Sequence, residues 1–205
     1  MSTTTTPGVR HPGETDEAVG RTRGRMAEAG GSALQRLLGT DARLAPAVAR
    51  LGLGLVMLPH ALQKAFGWFG GGGFSATYEG FTEGLGIPGP LAFLAICAEI
   101  FGALALVLGL FTRVGALAII SVMLGAIAIV HLPYGFFMNW GGQLAGEGFE
   151  YHLLAIALGI VSLLEGGGAV SVDRAVTQHI QKDAERAVIP VRREVPAREA
   201  SPDLP

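Results

Sequence analysis

Residues 90–110 read PLAFLAICAEIFGALALVLGL, and between Glu83 and Arg113 the only charged side chain is Glu99. A helix rises 1.5 Å per residue, so about 20 residues cross the ~30 Å of hydrocarbon in a bilayer. The run therefore predicts a membrane span with a carboxylate near its middle. A charge at that depth costs roughly 2.5–3.5 kcal/mol on insertion scales unless it is protonated, paired or hydrated. Some other part of the chain must answer Glu99.

Working outward, four apolar stretches emerge, at about residues 45–66, 89–110, 114–132 and 149–164. The chain has 205 residues, a mean hydropathy of +0.45, 50% hydrophobic residues and only 16% charged ones. Soluble domains carry about 25% charge. Backbone groups in lipid must be satisfied within their own segment, so such stretches are helices. A soluble helical bundle would show a polar stripe every three to four residues, and the second and third stretches show none. The expected fold is all-α, a four-transmembrane-helix bundle. Cys97 is the single cysteine, which excludes an intramolecular disulfide framework and a CxxC redox pair. The net charge of −2 selects no partner, and the basic residues lie in the tails without interleaved aromatics, so nothing points to nucleic acid. No apolar core precedes the first span, so no signal peptide is expected.

Charge sets the expected topology. Arg10, Arg21, Arg23, Arg25, Arg36, Arg43 and Arg50 precede or enter the first span. Arg113 lies in the short junction between spans two and three, and Arg174, Lys182, Arg186, Arg192, Arg193 and Arg198 follow the fourth. The two remaining loops, about 67–88 and 133–148, contain Glu79, Glu83 and Glu147 and no Lys or Arg. Fourteen of the fifteen basic residues thus share one side, Lys64 being the exception. By the positive-inside rule both termini are cytoplasmic, and the expected location is the bacterial plasma (inner) membrane, as a multi-pass protein.

Residues 1–43 read as a mostly disordered N-terminal tail, 44–176 as the membrane domain and 177–205 as a largely disordered C-terminal tail. Within the first tail, ALQRLLGTDARL (33–44) has the pattern of a short amphipathic surface helix. In the first outer loop, Trp68 and Phe69 precede four glycines, and Phe74, Tyr78 and Phe81 then recur at helical spacing. They predict a short amphipathic helix, serving as an aromatic belt or as a lid over an outer site.

Helical rise places each polar group in depth. His60 lies roughly 21 Å and Lys64 roughly 27 Å above the inner boundary, and Glu99 roughly 15 Å below the outer one. His131 ends span three, while Glu150, Tyr151 and His152 open span four. An outer polar layer thus stands above an apolar inner half, where only Arg50 and Glu165 break the pattern and both lie near enough to the interface to snorkel. The candidate site residues are Glu99, His60, Lys64, His131, Glu150 and His152. Each has a structural alternative. His60 and Lys64 fit an interfacial pair, Glu99 a bundle-internal hydrogen bond or ion pair, and His131 a span end. Glu150 fits a charge at a helix N-terminus. Ala95, Gly102 and Gly109 fall on roughly the face of Glu99, allowing close approach of a neighbouring helix. Cys97, roughly on the other side of that helix, reads as packing.

These residues carry a resemblance over about 44–176. RLGLGLVMLPHALQK, with Arg50, His60 and Lys64, is similar to the first span of the DoxX family of small bacterial four-helix integral membrane proteins. AEIFGALALVLGLFTR resembles that family's E-x-x-G-x-x-L-x-x-G-x-x-T-R through Glu99, Gly102, Gly109, Thr112 and Arg113. Glu150 in GFEYHLLAIALG stands like the family's acidic residue, and GGGAVSVDRAV resembles its ending through Ser171, Asp173 and Arg174. Ala61 and Gly167 depart from the usual glycine and proline. The resemblance implies a membrane subunit linked to sulfur or thiol redox chemistry, with one branch resembling a subunit of thiosulfate:quinone oxidoreductase and another associated with oxidative-stress defence.

Two functional classes follow. One is a redox-associated subunit of a membrane oxidoreductase complex, handling a quinone or a small sulfur substrate near the outer leaflet. There Glu99 would accept or relay a proton, and the histidines and Lys64 would bind a quinone carbonyl or an anion. The other is a non-catalytic scaffold that docks a soluble redox enzyme through its loops and uses buried charge to fix helix register. A small permease fits less well because the inner half lacks a polar path, and a bis-histidine haem protein is a further alternative. No dinucleotide, cysteine-cluster or haem-attachment motif is present, so quinone is the one cofactor in view, no metal is expected, and electrons would come from a partner or from the quinone. Expected partners are the lipid bilayer and soluble or membrane oxidoreductase subunits, with a homo-oligomer left open.

Overall fold

Four long helices run alternately up and down in a computed structural model that describes residue 39 and residues 43–188. They are α1 (Leu44–Phe66), α3 (Gly89–Leu108), α4 (Thr112–Ala126) and α5 (Glu150–Glu165). Two further helices are α2 (Gly73–Glu79), between α1 and α3, and α6 (Val172–Val188), after α5. The described residues contain no strand. The expected tail disorder and the surface helix at 33–44 fall essentially outside the described residues. The fourth helix appears where expected, and α6 carries helical structure beyond the 176/177 boundary and past Gln181 to Val188.

Among the described residues, three segments are long and apolar enough to cross a membrane: Leu44–Phe66, Gly89–Leu108 and Thr112–Tyr134. The last is α4 prolonged by a π-helical turn over Ile127–His131 and a 3-10 turn over Leu132–Tyr134. Helix α5 has 16 residues, a length of roughly 24 Å.

Each helix packs on its two neighbours in a ring, α1 on α3, α3 on α4, α4 on α5 and α5 on α1. Leu53, Met57, Ile100, Leu106, Ile119 and Met123 fill the centre. Small residues set the spacing. A Cβ on Gly115 of α4 would lie 2.6 Å from Ala105 Cβ of α3, and one on Gly54 of α1 would lie 2.9 Å from the Val107 nitrogen. Where lipid replaces water, the hydrophobic effect does not press helices together, and such close backbone approach supplies the dispersion contact instead. Gly102 lies in the α3–α4 contact as its position on the Glu99 face predicts. Gly109 lies past the end of α3 in the left-handed region, with φ 65°.

At one end of the bundle, charged side chains cap the helices. Arg50 is 0% exposed. Its guanidinium donates to the carbonyls of Leu106 and Val107 at the C-terminus of α3, and to those of Gly167 and Val170 after α5. Asp173 accepts from the backbone N–H groups of Phe111 (2.7 Å) and Thr112 (2.9 Å) at the start of α4. Arg113 donates to Leu163 and Leu164 carbonyls at the end of α5 and to the Gly39 carbonyl. Helix termini leave four backbone groups unsatisfied, and each of these charges has the sign that the helix dipole favours. Arg50 therefore does not snorkel: the main chain of two other segments consumes its donors. Glu165 is the more open of the two inner charges and pairs with Arg43.

Candidate functional site

At the other end, which carries Phe66, Gly89, His131 and Glu150, lies the answer to Glu99. The Lys64 ammonium stands 2.6 Å from Glu99 Oε2. Glu99 is 1% exposed, whereas the Lys64 side chain keeps 35% of its surface open. The contact is possible because the helices are staggered. Lys64 is level with Glu99, which lies ten residues into α3, so α3 runs on about 15 Å past that level while α1 stops at Phe66. Counting depth from equal helix starts set the two groups well apart; the stagger brings them together.

The space over the end of α1 is occupied by α2, which packs on both α1 and α3. Thr77 donates its hydroxyl to the Lys64 carbonyl at 3.2 Å. Phe74 stacks on Tyr78 and meets Phe93 of α3 edge-on, with centroids 6.1 Å apart. The aromatic spacing in the first loop thus forms the expected helix, and the helix sits over Lys64. Gly67, with φ 73°, ends α1 in the left-handed region and starts the turn that makes this possible.

Helix α5 supplies the opposite wall. The His152 ring lies 4.1 Å, centroid to centroid, from that of His131, and both His131 and Lys64 are within electrostatic reach of it. Tyr151 is within electrostatic reach of Glu99, directs its hydroxyl to Met57 Sδ at 3.7 Å, and has its ring 6.5 Å from that of His60. His131 is placed by the π-helical turn, which shifts the phase of α4 in its last turns. Its Nδ1 lies 2.8 Å from the Glu147 carbonyl. Two buried atoms in this region have no hydrogen-bond partner, Glu99 Oε1 and His152 Nδ1.

Of the six sequence candidates, Lys64 and Glu99 form an ion pair and His131 and His152 a ring pair beside it. His60 lies exposed at the edge, against Tyr151. Glu150 acts elsewhere, organising the loop before α5. Its Oε1 accepts from the Met138 backbone N–H (3.0 Å) and the Trp140 indole N–H (3.3 Å). Tyr151 is the residue that sequence reasoning placed in the layer without selecting; its neighbour His152 was the stronger signal. Among the described residues no group of three or more His, Cys, Asp or Glu could hold a metal ion.

The arrangement can accept a proton or a donor at Glu99 Oε1, offer the Lys64 ammonium, and hold or pass a proton at the imidazoles. An unpartnered buried polar atom costs about 1–3 kcal/mol, so the two orphan atoms mark where a ligand or water gains most.

Long apolar helices closed around a buried ion pair define the class: this is a membrane protein. The family model DoxX matches residues 45–132, a stretch that covers α1 from its second residue and all of α2, α3 and α4, with Lys64, Glu99 and His131. The match covers 88 of the 205 residues and is consistent with a membrane protein of the DoxX family; Glu150, Tyr151, His152 and Asp173 lie beyond the matched residues. No curated protein and no solved structure matches the chain.

Proposed function

We propose that the protein is a multi-pass bacterial inner-membrane protein with four spans and cytoplasmic termini, serving as a redox-associated subunit of a membrane oxidoreductase complex. The apolar stretches, the one-sided Lys and Arg distribution and the up-and-down bundle support the topology, with α5 as the fourth span. Its 16 residues are short for ~30 Å of hydrocarbon, and the loop bound to Glu150 completes the crossing. The Lys64–Glu99 pair then lies in the outer half of the membrane, with His131, Tyr151 and His152 around it.

The observation that carries the reading is a carboxylate 1% exposed that uses one oxygen on Lys64 and leaves the other without a partner. A purely structural pair gains by satisfying every lone pair; this one keeps an acceptor in reserve beside a half-open cation. The ligand classes that fit are a quinone, whose carbonyl would take the Lys64 ammonium while Glu99 handles its proton, and a small sulfur compound. The electrons that reduce a bound quinone come from the sulfur compound through a partner subunit, since the sequence offers no dinucleotide fingerprint, cysteine cluster or haem-attachment motif.

The test is purification of the complex from native membranes, with mass spectrometry of proteins and lipidic quinones, followed by quinone reduction with thiosulfate or a thiol. Co-purification of an oxidoreductase or quinone, and loss of turnover in Glu99→Gln, support the reading. Failure to find either ligand or electron transfer with the native partners present overturns it. The second reading, a scaffold, is favoured by a specific observation too: Lys64–Glu99 ties α1 directly to α3. It predicts that Glu99→Gln disturbs assembly and touches no chemistry.

A further inference from the structure

Helix α6 leaves the capped end of the bundle without packing extensively on another helix. At 100° per residue its apolar Val172, Val176 and Ile180 fall within an arc of about 80°, and all three are exposed. Arg174, Gln178, Gln181 and Glu185 occupy the opposite side. Asp173 borders the apolar arc and is buried against the α3–α4 turn. That anchor fixes the rotation of the helix, with Asp173 turned to the bundle and the apolar stripe exposed beside it.

Two other features mark the same rim. Among non-glycine described residues, Phe69, Phe111 and Val170 have positive φ, and Phe111 (49°) and Val170 (55°) both belong to this end. A β-branched or bulky residue in that region is strained. Each is held there by a cap, Phe111 through its N–H to Asp173 and Val170 through its carbonyl to Arg50. The strain turns both side chains outward: Phe111 is exposed and Val170 is 86% exposed. Leu108 and Leu164, at the ends of α3 and α5, are exposed beside them.

We infer that α6 is an interfacial helix, lying along the bilayer surface with Val172, Val176 and Ile180 in the headgroup–acyl boundary, and that Phe111 and Val170 form the adjoining part of the same lipid-facing rim. This rests on the membrane placement proposed above. The occupant of the stripe is lipid because the stripe continues the uncovered apolar surface of helices long enough to span a membrane, at the level where those helices end. The helix has the make-up of a surface binder, a narrow apolar face under a polar one with Lys182 and Arg186 on the flank and available to phosphate headgroups. His179 Nε2 lies 3.4 Å from Asp183 Oδ2; Asp183 falls within the arc of about 80° and marks where the apolar stripe ends.

The test uses full-length protein with Cys97→Ala, reconstituted in phosphatidylcholine–phosphatidylglycerol nanodiscs. Single cysteines at Val176, Ile180, Gln178 and Gln181 carry a spin label, and collision with oxygen is compared with collision with a water-soluble nickel chelate. A label at Leu117, exposed on α4, reports the span itself. The expected result is a several-fold higher oxygen-to-nickel ratio at 176 and 180 than at 178 and 181. Equal nickel access at all four positions means that α6 stands in water, and overturns the inference. Shielding of 176 and 180 from both reagents means that protein covers the stripe, a second copy or a partner, and overturns it equally. Nickel access at 117 refutes the membrane placement itself, which separates that failure from the other two.

Discussion

Arg50 and Asp173 grip opposite sides of one turn. The guanidinium closes the last carbonyls of α3 and the carboxylate closes the first N–H groups of α4. Positive charge meets the negative end of one helix dipole, and negative charge meets the positive end of the next. Between them the chain reverses within a few residues, through Gly109 and Phe111 in left-handed conformations. The same two side chains also bind the segment after α5, Arg50 through Gly167 and Val170, and Asp173 by its own position. First span, central turn and C-terminal helix are thereby joined at one point.

Arg50→Lys is expected to lower stability by about 3 kcal/mol, because buried hydrogen bonds to charged groups are worth 1.5–3 kcal/mol each and an ammonium cannot reproduce the guanidinium fork. Thermal unfolding in detergent or nanodiscs measures it. A melting temperature equal to the parent's would remove the capping account of this residue.

Lys64→Met leaves the Glu99 carboxylate buried and alone, at an expected loss of about 3–5 kcal/mol. Lys64→Met combined with Glu99→Leu should recover most of that loss, since replacing both members of a buried pair with apolar groups is often close to neutral. The double-mutant cycle reads the coupling directly. If the single and double variants unfold alike, the two groups are not coupled.

Gly115→Val places side-chain atoms into Ala105, where a Cβ alone would come within 2.6 Å. Overpacking of this kind costs about 1–3 kcal/mol. Gly52→Ala, at a helical position with nothing within 4 Å of its Cβ, should stabilise by up to about 1 kcal/mol. Comparing the two in the same unfolding assay separates close helix approach from backbone propensity.

Glu150→Gln weakens the carboxylate's hold on Met138 and Trp140. A local loss of about 1.5 kcal/mol raises the open population of residues 135–149 roughly tenfold. Limited proteolysis of the loop should accelerate accordingly, with the global melting temperature close to that of the parent. Unchanged cleavage would mean that other bonds hold the loop.

The apolar helices were legible because hydrocarbon imposes a length and a composition on whatever crosses it. The need to bury and answer Glu99 was legible for the same reason, and Lys64, His131 and His152, which the structure brings near it, were among the residues singled out. The pairing itself was not, because the stagger of α1 against α3 arises from the glycine turn and α2 rather than from either helix alone. Arg50 was misjudged for a different reason. Its acceptors are main-chain carbonyls 56 and 117 positions away, and a carbonyl carries no residue-type signal. The extent of α6 was obscured by its charges, which suit a solvated tail and the polar face of a helix equally well; the first proline after it is Pro190.

The capped end gives the interior a dead end. Between Glu99 and Arg50 the core is packed with Leu53, Ala103, Leu106 and Ile119, each at most 2% exposed, and the helix ends beyond them are sealed by hydrogen bonds. A proton or small molecule that reaches Glu99 must leave by the way it entered. The bundle is a cul-de-sac and not a corridor: the ion pair is open only toward the end that carries Phe66, Gly89 and His131.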